Sequence, residues 1–169
     1  TKKYCIKSSY NSAISGKYVS NDMIKLVLSR GCRFIDLEIL IVDNTPIVSH
    51  TIDKSYTSRE TENTIVLDSI LTTIASNAFV AANPNPKDPL FIHLRVKSND
   101  MKSLRYIAAS IDSTLAKTRK LYKNDISETT TLNDIMGKFV IIVDNSNIYN
   151  YNKLTKCTKD DTNCYDLSN

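Results

Sequence analysis

Apolar and polar positions along the chain switch repeatedly between a two-residue and a 3.6-residue period. Tyr4–Lys7 alternates and predicts a short first strand. Ser20 suits an N-cap; Met23, Ile24, Val27 and Leu28 then recur at helical spacing, and Gly31 suits the left-handed position that ends a helix. Arg33–Val42, rich in Phe, Ile, Leu and Val, predicts a buried strand. Asp43-Asn44-Thr45 turns the chain into a short strand over Pro46–Ser49, and a polar loop follows from Thr51 to Asn63. Leu67, Ile70, Leu71, Ile74, Ala78 and Phe79 outline a second amphipathic helix, broken by Asn83-Pro84-Asn85-Pro86. Leu90–Val96 reads as a fourth strand. A third helix, capped by Asn99 or Asp100, runs through Met101, Leu104, Ile107, Ala108, Ile111 and Leu115. Thr131–Met136 predicts a short helix closed by Gly137, and Phe139–Val143 a fifth strand. From Asn145 onward the chain is polar and poorly periodic, so residues 1–144 are expected to form one domain and 145–169 a tail or linker.

Strands alternating with helices argue for a parallel α/β sheet or barrel, in which chemistry gathers at the C-terminal ends of strands. The positions to inspect are therefore Ser8 to Asn11, Asp36 to Glu38, His50, Arg95 and Asp144. Period-2 alternation puts Asp36, Glu38 and Phe34 on one face of their strand, and Phe91, His93 and Arg95 on one face of theirs. Two carboxylates within an apolar strand need cations, donors or a metal. Arg95 is a natural partner for either. Charge-complementary groups from three strands suit phosphate-ester chemistry.

Composition narrows the classes. The chain has 22 Lys+Arg against 18 Asp+Glu, a net charge of +4 that is too small and too dispersed to argue for nucleic acid. No apolar run could span a bilayer, and no signal peptide opens the chain, which does not begin with Met; the compartment is therefore unreadable. Four cysteines without a CxxC pair or a neighbouring His make zinc improbable. Cys5 and Cys32 sit in apolar segments and read as buried thiols; Cys157 and Cys164 could pair locally or stay free. The basic stretch Lys117, Arg119, Lys120, Lys123 reads as a solvated helix end. The 169 residues suit one domain but fall short of the ~250 of a complete (β/α)8 barrel.

Five segments carry a resemblance. SSYNSAISGKYVS (Ser8–Ser20) resembles the opening box of the phosphatidylinositol-specific phospholipase C X domain, which reads Ser-Ser-His-Asn-Thr. GCRFIDLE (Gly31–Glu38), PIVSH (Pro46–His50), DPLFIHLR (Asp88–Arg95) and LNDIMGKFVII (Leu132–Ile142) are similar to later strands of that domain, in the same order, over about Lys3 to Asp144. The resemblance implies a (β/α) TIM-type barrel, here incomplete or partial, with about five mainly parallel strands. It also implies two-step cleavage of a phosphodiester through a cyclic inositol phosphate. One His takes the proton of the inositol hydroxyl, a second protonates the leaving oxygen, and calcium or an Arg stabilises the charged intermediate.

The carry-over is partial. His50 holds the place of the second His, Asn11 that of the Asn beside the first, and Asp36 and Glu38 that of the acidic pair with the two exchanged. Tyr10 replaces the first His; with an ordinary pKa near 10 a Tyr is a poor base, and losing one acid/base partner costs about 10²–10⁴ in rate. His93 is a candidate substitute base, weighed against a hydrogen-bonded interior histidine. Arg95 replaces an acidic calcium ligand; ~4 Å from a divalent ion it would repel by roughly 8 kcal/mol at an effective dielectric of 20. With only Asn11, Asp36 and Glu38 left against the ~6–8 ligands calcium takes, no metal and no other cofactor are expected. Asp144-Asn145-Ser146-Asn147 stands where the family carries basic residues that grip ring phosphates, which argues against a polyphosphorylated inositide.

The expectation is a degenerate X-like domain, catalytically impaired, with a binding or structural role. Tyr10 would then fill the pocket and bond to Asp36 or His50. Its partners would be an inositol phospholipid or another phosphodiester, and a protein covering an open barrel edge. The alternative is a metal-independent phosphoric diester hydrolase acting on phosphatidylinositol-like lipids. A third reading is a subunit of a larger assembly such as a viral particle.

Overall fold

The computed structural model describes residues 5–52, 58–98, 101–124, 126–127, 129–143 and 165–166. Four longer strands form the centre: β4 (Phe34–Val42), β5 (Thr45–Val48), β7 (Leu90–Lys97) and β8 (Phe139–Val143). Two-residue strands β1 (Ser8–Ser9), β6 (Ile65–Val66) and β9 (Tyr165–Asp166) extend the sheet, in the order β6-β5-β4-β7-β8-β9 with β1 beside the start of β4. The pairs β1–β4, β4–β7, β7–β8 and β8–β9 are parallel. A separate hairpin joins β2 (Ile14–Ser15) to β3 (Tyr18–Val19). Helices α1 (Asn21–Ser29), α2 (Leu67–Asn77), α3 (Met101–Ser113) and the short α4 (Leu132–Ile135) complete the architecture.

The alternation read from the sequence sorts the two faces of the sheet. Ile35, Leu37 and Ile39 of β4, Ile92 and Leu94 of β7 and Ile141 of β8 pack with Ile24 and Leu28 of α1, Ile70 and Ile74 of α2, and Ile107 and Ile111 of α3. Each such fully buried side chain contributes about 1.5–3 kcal/mol. The opposite face carries Phe91, Val140 and Ile142 with Phe34, Ile135 and Leu132 at its lower end. It becomes polar toward the C-terminal ends of β4 and β7, where the candidate site lies.

Local signals account for most boundaries. Ser20 Oγ accepts from Asp22 N at 3.1 Å and caps α1. Thr131 and Asp134 form a reciprocal capping box on α4. Gly31 has φ +80°, and a Cβ there would lie 3.4 Å from the Pro84 side chain. Gly31→Ala is therefore expected to cost about 1–2 kcal/mol, seen as a lower urea midpoint at unchanged slope.

Several expectations need correction. Among the described residues, which exclude Tyr4, the first strand is Ser8–Ser9, paired with Phe34–Ile35, rather than a run ending at Lys7. The strand read over Pro46–Ser49 runs Thr45–Val48; Asp43 (φ 49°) and Asn44 (φ 63°) make a two-residue left-handed turn that pairs it with β4 as an antiparallel hairpin. The segment Ile14–Val19, for which no element is predicted, holds a hairpin turning at Gly16. Cys5 is exposed; Cys32 is buried as expected. The third helix ends at Ser113 and passes into a 3-10 turn over Ala116–Thr118. In the polar tail, Tyr165–Asp166 pairs with Ile142–Val143 as a strand. Cys157, Cys164, Asn99, Asp100, Asp144 and Asn145 to Asn147 lie outside the described residues.

Candidate functional site

The β4–β7 register builds the site. Phe34 lies opposite Phe91, Asp36 opposite His93 and Glu38 opposite Arg95. Because strand partners share a face, the polar positions of two separate strands meet as neighbours. β1 and its following turn add Tyr10 and Asn11 from one side, and the end of β5 adds His50 from the same edge of β4.

Arg95 is the centre. Its Nε donates to both oxygens of Asp36 at 3.1 and 3.0 Å, and its Nη2 to Asp36 Oδ1 at 2.9 Å. Its Nη1 donates to Glu38 Oε2 at 2.6 Å, and Nη2 also reaches Asn11 Oδ1. Asp36 Oδ2 further meets His93 Nδ1 at 2.7 Å, and Oδ1 accepts the Asn11 backbone N–H at 3.0 Å. Glu38 Oε1 takes both the backbone N–H and the hydroxyl of Thr51, at 2.7 and 2.9 Å, while Oε2 faces His50 Nδ1 at 3.1 Å. Asp36 is 3 % exposed and Glu38 1 %, so these contacts act in a weakly screened environment.

The carboxyl groups respond accordingly. Burial alone would raise the Asp36 pKa. Hydrogen bonds from His93, Arg95 and the Asn11 backbone outweigh it and bring the group from 3.8 to about 2. Burial also pushes Glu38 up, and Thr51, His50 and Arg95 together hold it below its ordinary value. The two carboxylates in turn raise the pKa of Arg95 against its own burial. The cluster joins two ionised carboxylates, Asp36 and Glu38, to one fixed cation, Arg95.

The local backbone is shaped for this. Asn11 has φ 45°, a left-handed conformation that Asn tolerates, and it aims its N–H at Asp36. Ser12 locks the turn: its hydroxyl donates to the Ser9 carbonyl at 2.9 Å and accepts from Asp36 N at 2.9 Å, and Ser12 N donates to the Asp36 carbonyl at 2.8 Å.

Among the described residues, sequence reasoning named every member of this cluster except two. Thr51 holds Glu38, and Glu60 Oε2 stands 3.1 Å from His50 Nε2. Both ring nitrogens of His50 thus face carboxylates. Glu60 arrives because Glu60 N donates to the His50 carbonyl at 2.9 Å and Arg59 bridges back to Thr51. No spacing in a polar loop announces such a return; an alternation around Arg59 to Thr61 would have been the only signal. Tyr10 differs from expectation. It does not fill the pocket: it is 69 % exposed, and its ring covers Arg95 with the guanidinium carbon 4.5 Å from the ring centre. His93 lies against Phe34 with ring centres 5.8 Å apart and is bound to Asp36, while His50 is bound to Glu38.

Comparison with known proteins gives this geometry a family. Residues 1–145 match the model of the phosphatidylinositol-specific phospholipase C, X domain. The chain belongs to the X-domain family. Among solved structures the X domain is similar to L. pealei PLC21, at 19% identity with a TM-score of 0.63 over 83% of this chain and 18% of that one. S. officinalis PLC21 aligns at 18% identity and the same TM-score, again over 83% and 18%. This X domain therefore spans less than a fifth of the length of those relatives, and at such identity the likeness is one of fold, a mixed α/β architecture with a mainly parallel central sheet. No curated protein matches it. Among the described residues, no helix is long and apolar enough to cross a membrane.

Proposed function

We propose that this is a divergent X domain in which phosphodiester cleavage is impaired, that binds a phosphoinositide-type head group or serves a structural role, and that works without calcium. The observation that carries the reading is the saturation of the acidic pair. Every carboxylate oxygen of Asp36 and Glu38, and Asn11 Oδ1, already accepts from Arg95, His93, His50, Thr51 or the Asn11 backbone. A divalent cation does not fit that donor set, because Arg95 already lies among the oxygens it would need and would repel it. Two further facts support impairment. Tyr10 stands where a base is required, and its ring lies on Arg95; both nitrogens of His50 face carboxylates.

In this reading Arg95 stabilises the two acids, His50 is the one acid/base group of the family pattern that remains, and His93 orients Asp36. The sheet is read as part of a TIM-type barrel whose edge a protein partner would cover. That the domain recognises phosphoinositide-type lipid rests on its family relationship alone.

The test is release of cyclic inositol phosphate from phosphatidylinositol vesicles. The expected rate is about 10²–10⁴ below that of an X domain with both histidines, unchanged by EDTA or added calcium, and increased by Tyr10→His. Brisk turnover lost in His50→Ala would favour the metal-independent hydrolase instead, and loss of activity in EDTA would overturn the metal-free site.

A further inference from the structure

His50, just beyond β5, makes two unlike contacts. Its Nδ1 faces Glu38 Oε2 at 3.1 Å, and Glu38 is buried. Its Nε2 faces Glu60 Oε2 at 3.1 Å, and the Glu60 side chain is 41 % exposed. Nδ1 is thus committed to the interior. Nε2 is the nitrogen left to meet a ligand arriving from solvent, and Glu60 already stands on it.

The backbone under Glu60 is tied on two sides. Toward His50, Glu60 N donates to the His50 carbonyl at 2.9 Å, Arg59 bridges to Thr51, and the hydroxyls of buried Ser49 and Thr61 lie 2.6 Å apart. Toward the hairpin of β2 and β3, Glu62 N donates to the Lys17 carbonyl at 2.8 Å, and the Asn63 side chain exchanges two hydrogen bonds with the Val19 backbone, at 2.7 and 2.9 Å. Thr61 is buried while Glu60 and Glu62 on either side are exposed, the alternation of an extended segment. The segment therefore presents Glu60 to His50, and rotation of the side chain alone can take the carboxylate away.

A carboxylate at hydrogen-bond distance from Nε2 occupies the place that an oxygen of a phosphate group would take there, with the same sign of charge. Displacing it costs little, because a part-exposed ion pair is weak. Leaving it in place would set two anions side by side.

We propose that Glu60 decides which ligands reach His50: its carboxylate holds the anion place on Nε2, and a phosphate-bearing head group binds there only by displacing it. The proposal rests on the reading of the site as one for a phosphoinositide-type head group. It assigns part of the impairment to a removable charge rather than to Tyr10 alone.

Titration of the full chain with inositol 1-phosphate, followed by NMR shifts, tests it, with uncharged myo-inositol as the control. Glu60→Ala, which removes charge and bulk, is expected to tighten inositol 1-phosphate about tenfold, and Glu60→Gln, which keeps the bulk, severalfold. Myo-inositol is expected to bind all of these chains alike. The gain is expected to vanish in His50→Gln/Glu60→Ala, because the donor at Nε2 is then gone. Equal affinity for inositol 1-phosphate in the wild-type and Glu60→Ala chains, weakened in both by His50→Gln, would overturn the proposal and leave the head-group reading standing. A gain that survives without His50, or that myo-inositol shares, would also overturn it. No saturable binding of inositol 1-phosphate to any of these chains would overturn the head-group reading itself, and the proposal with it.

Discussion

Arg95→Met is expected to destabilise the domain by about 3–5 kcal/mol, the cost of leaving buried charges without their partner. Arg95 donates to three side chains, and among the described residues it is the one fixed cation bonded to both Asp36 and Glu38. Methionine keeps much of the aliphatic bulk and removes every one of those hydrogen bonds. Asp36 would keep His93 and the Asn11 N–H, and Glu38 would keep Thr51 and His50, so the carboxylates would not be stripped of donors. What they lose is charge compensation. At roughly 2–4 °C per kcal/mol for a domain of this size, the melting temperature should fall by about 10 °C or more. Thermal melts by circular dichroism at pH 7 check this. A fall of only a degree or two would show that the cluster is far less coupled than its geometry implies. The loss should shrink in Arg95→Met/Asp36→Asn, because removing one acid relieves the uncompensated charge; that double-mutant comparison separates charge from packing.

Acid is expected to do the second-largest damage. Asp36 titrates at about 2 in the folded chain, against 3.8 ordinarily. A depressed carboxyl pKa contributes stability that is fully present above the unfolded value and is lost as pH falls through the folded one. The shift corresponds to about 2 kcal/mol from Asp36, lost progressively between roughly pH 4 and pH 2. Glu38, shifted in the same direction, adds to the same acid limb. Urea midpoints across pH 2–7 should therefore be level near neutrality and drop steeply below about pH 4. Asp36→Asn should be less stable at pH 7 and show a shallower acid limb. An equally steep limb in that variant would assign the acid sensitivity to other carboxyl groups.

How much of this was legible in the sequence depends on the distance over which each signal acts. The capping of α1 by Ser20, the hairpin turn at Asp43-Asn44 and the closing glycines are short-range effects, carried by a few consecutive residues. The face shared by Phe34, Asp36 and Glu38 follows from strand alternation alone. The sequence marked the turn after β4 and left the direction of β5 open; two left-handed residues at that turn decide for an antiparallel hairpin. Tyr10 was expected to fill the pocket; it lies over Arg95 instead, where an aromatic face meets a cation. Glu60 was missed because its place depends on how the polar stretch returns to His50.

By itself, the sequence determined the composition of the site: two acids and an arginine on inward strand faces, one histidine of the family pair, and a tyrosine in place of the other. Those identities are written in local alternation and in the order of the segments. Only the tertiary structure decided which groups meet. The β4–β7 register sets Asp36 level with His93 and Glu38 level with Arg95, so one guanidinium reaches both acids. Among the described residues, the packed chain also gives Arg33 Nε and Nη2 no hydrogen-bond partner. Pairing between residues 57 positions apart is fixed by burial of the whole sheet against its helices, and no local stretch of chain encodes it.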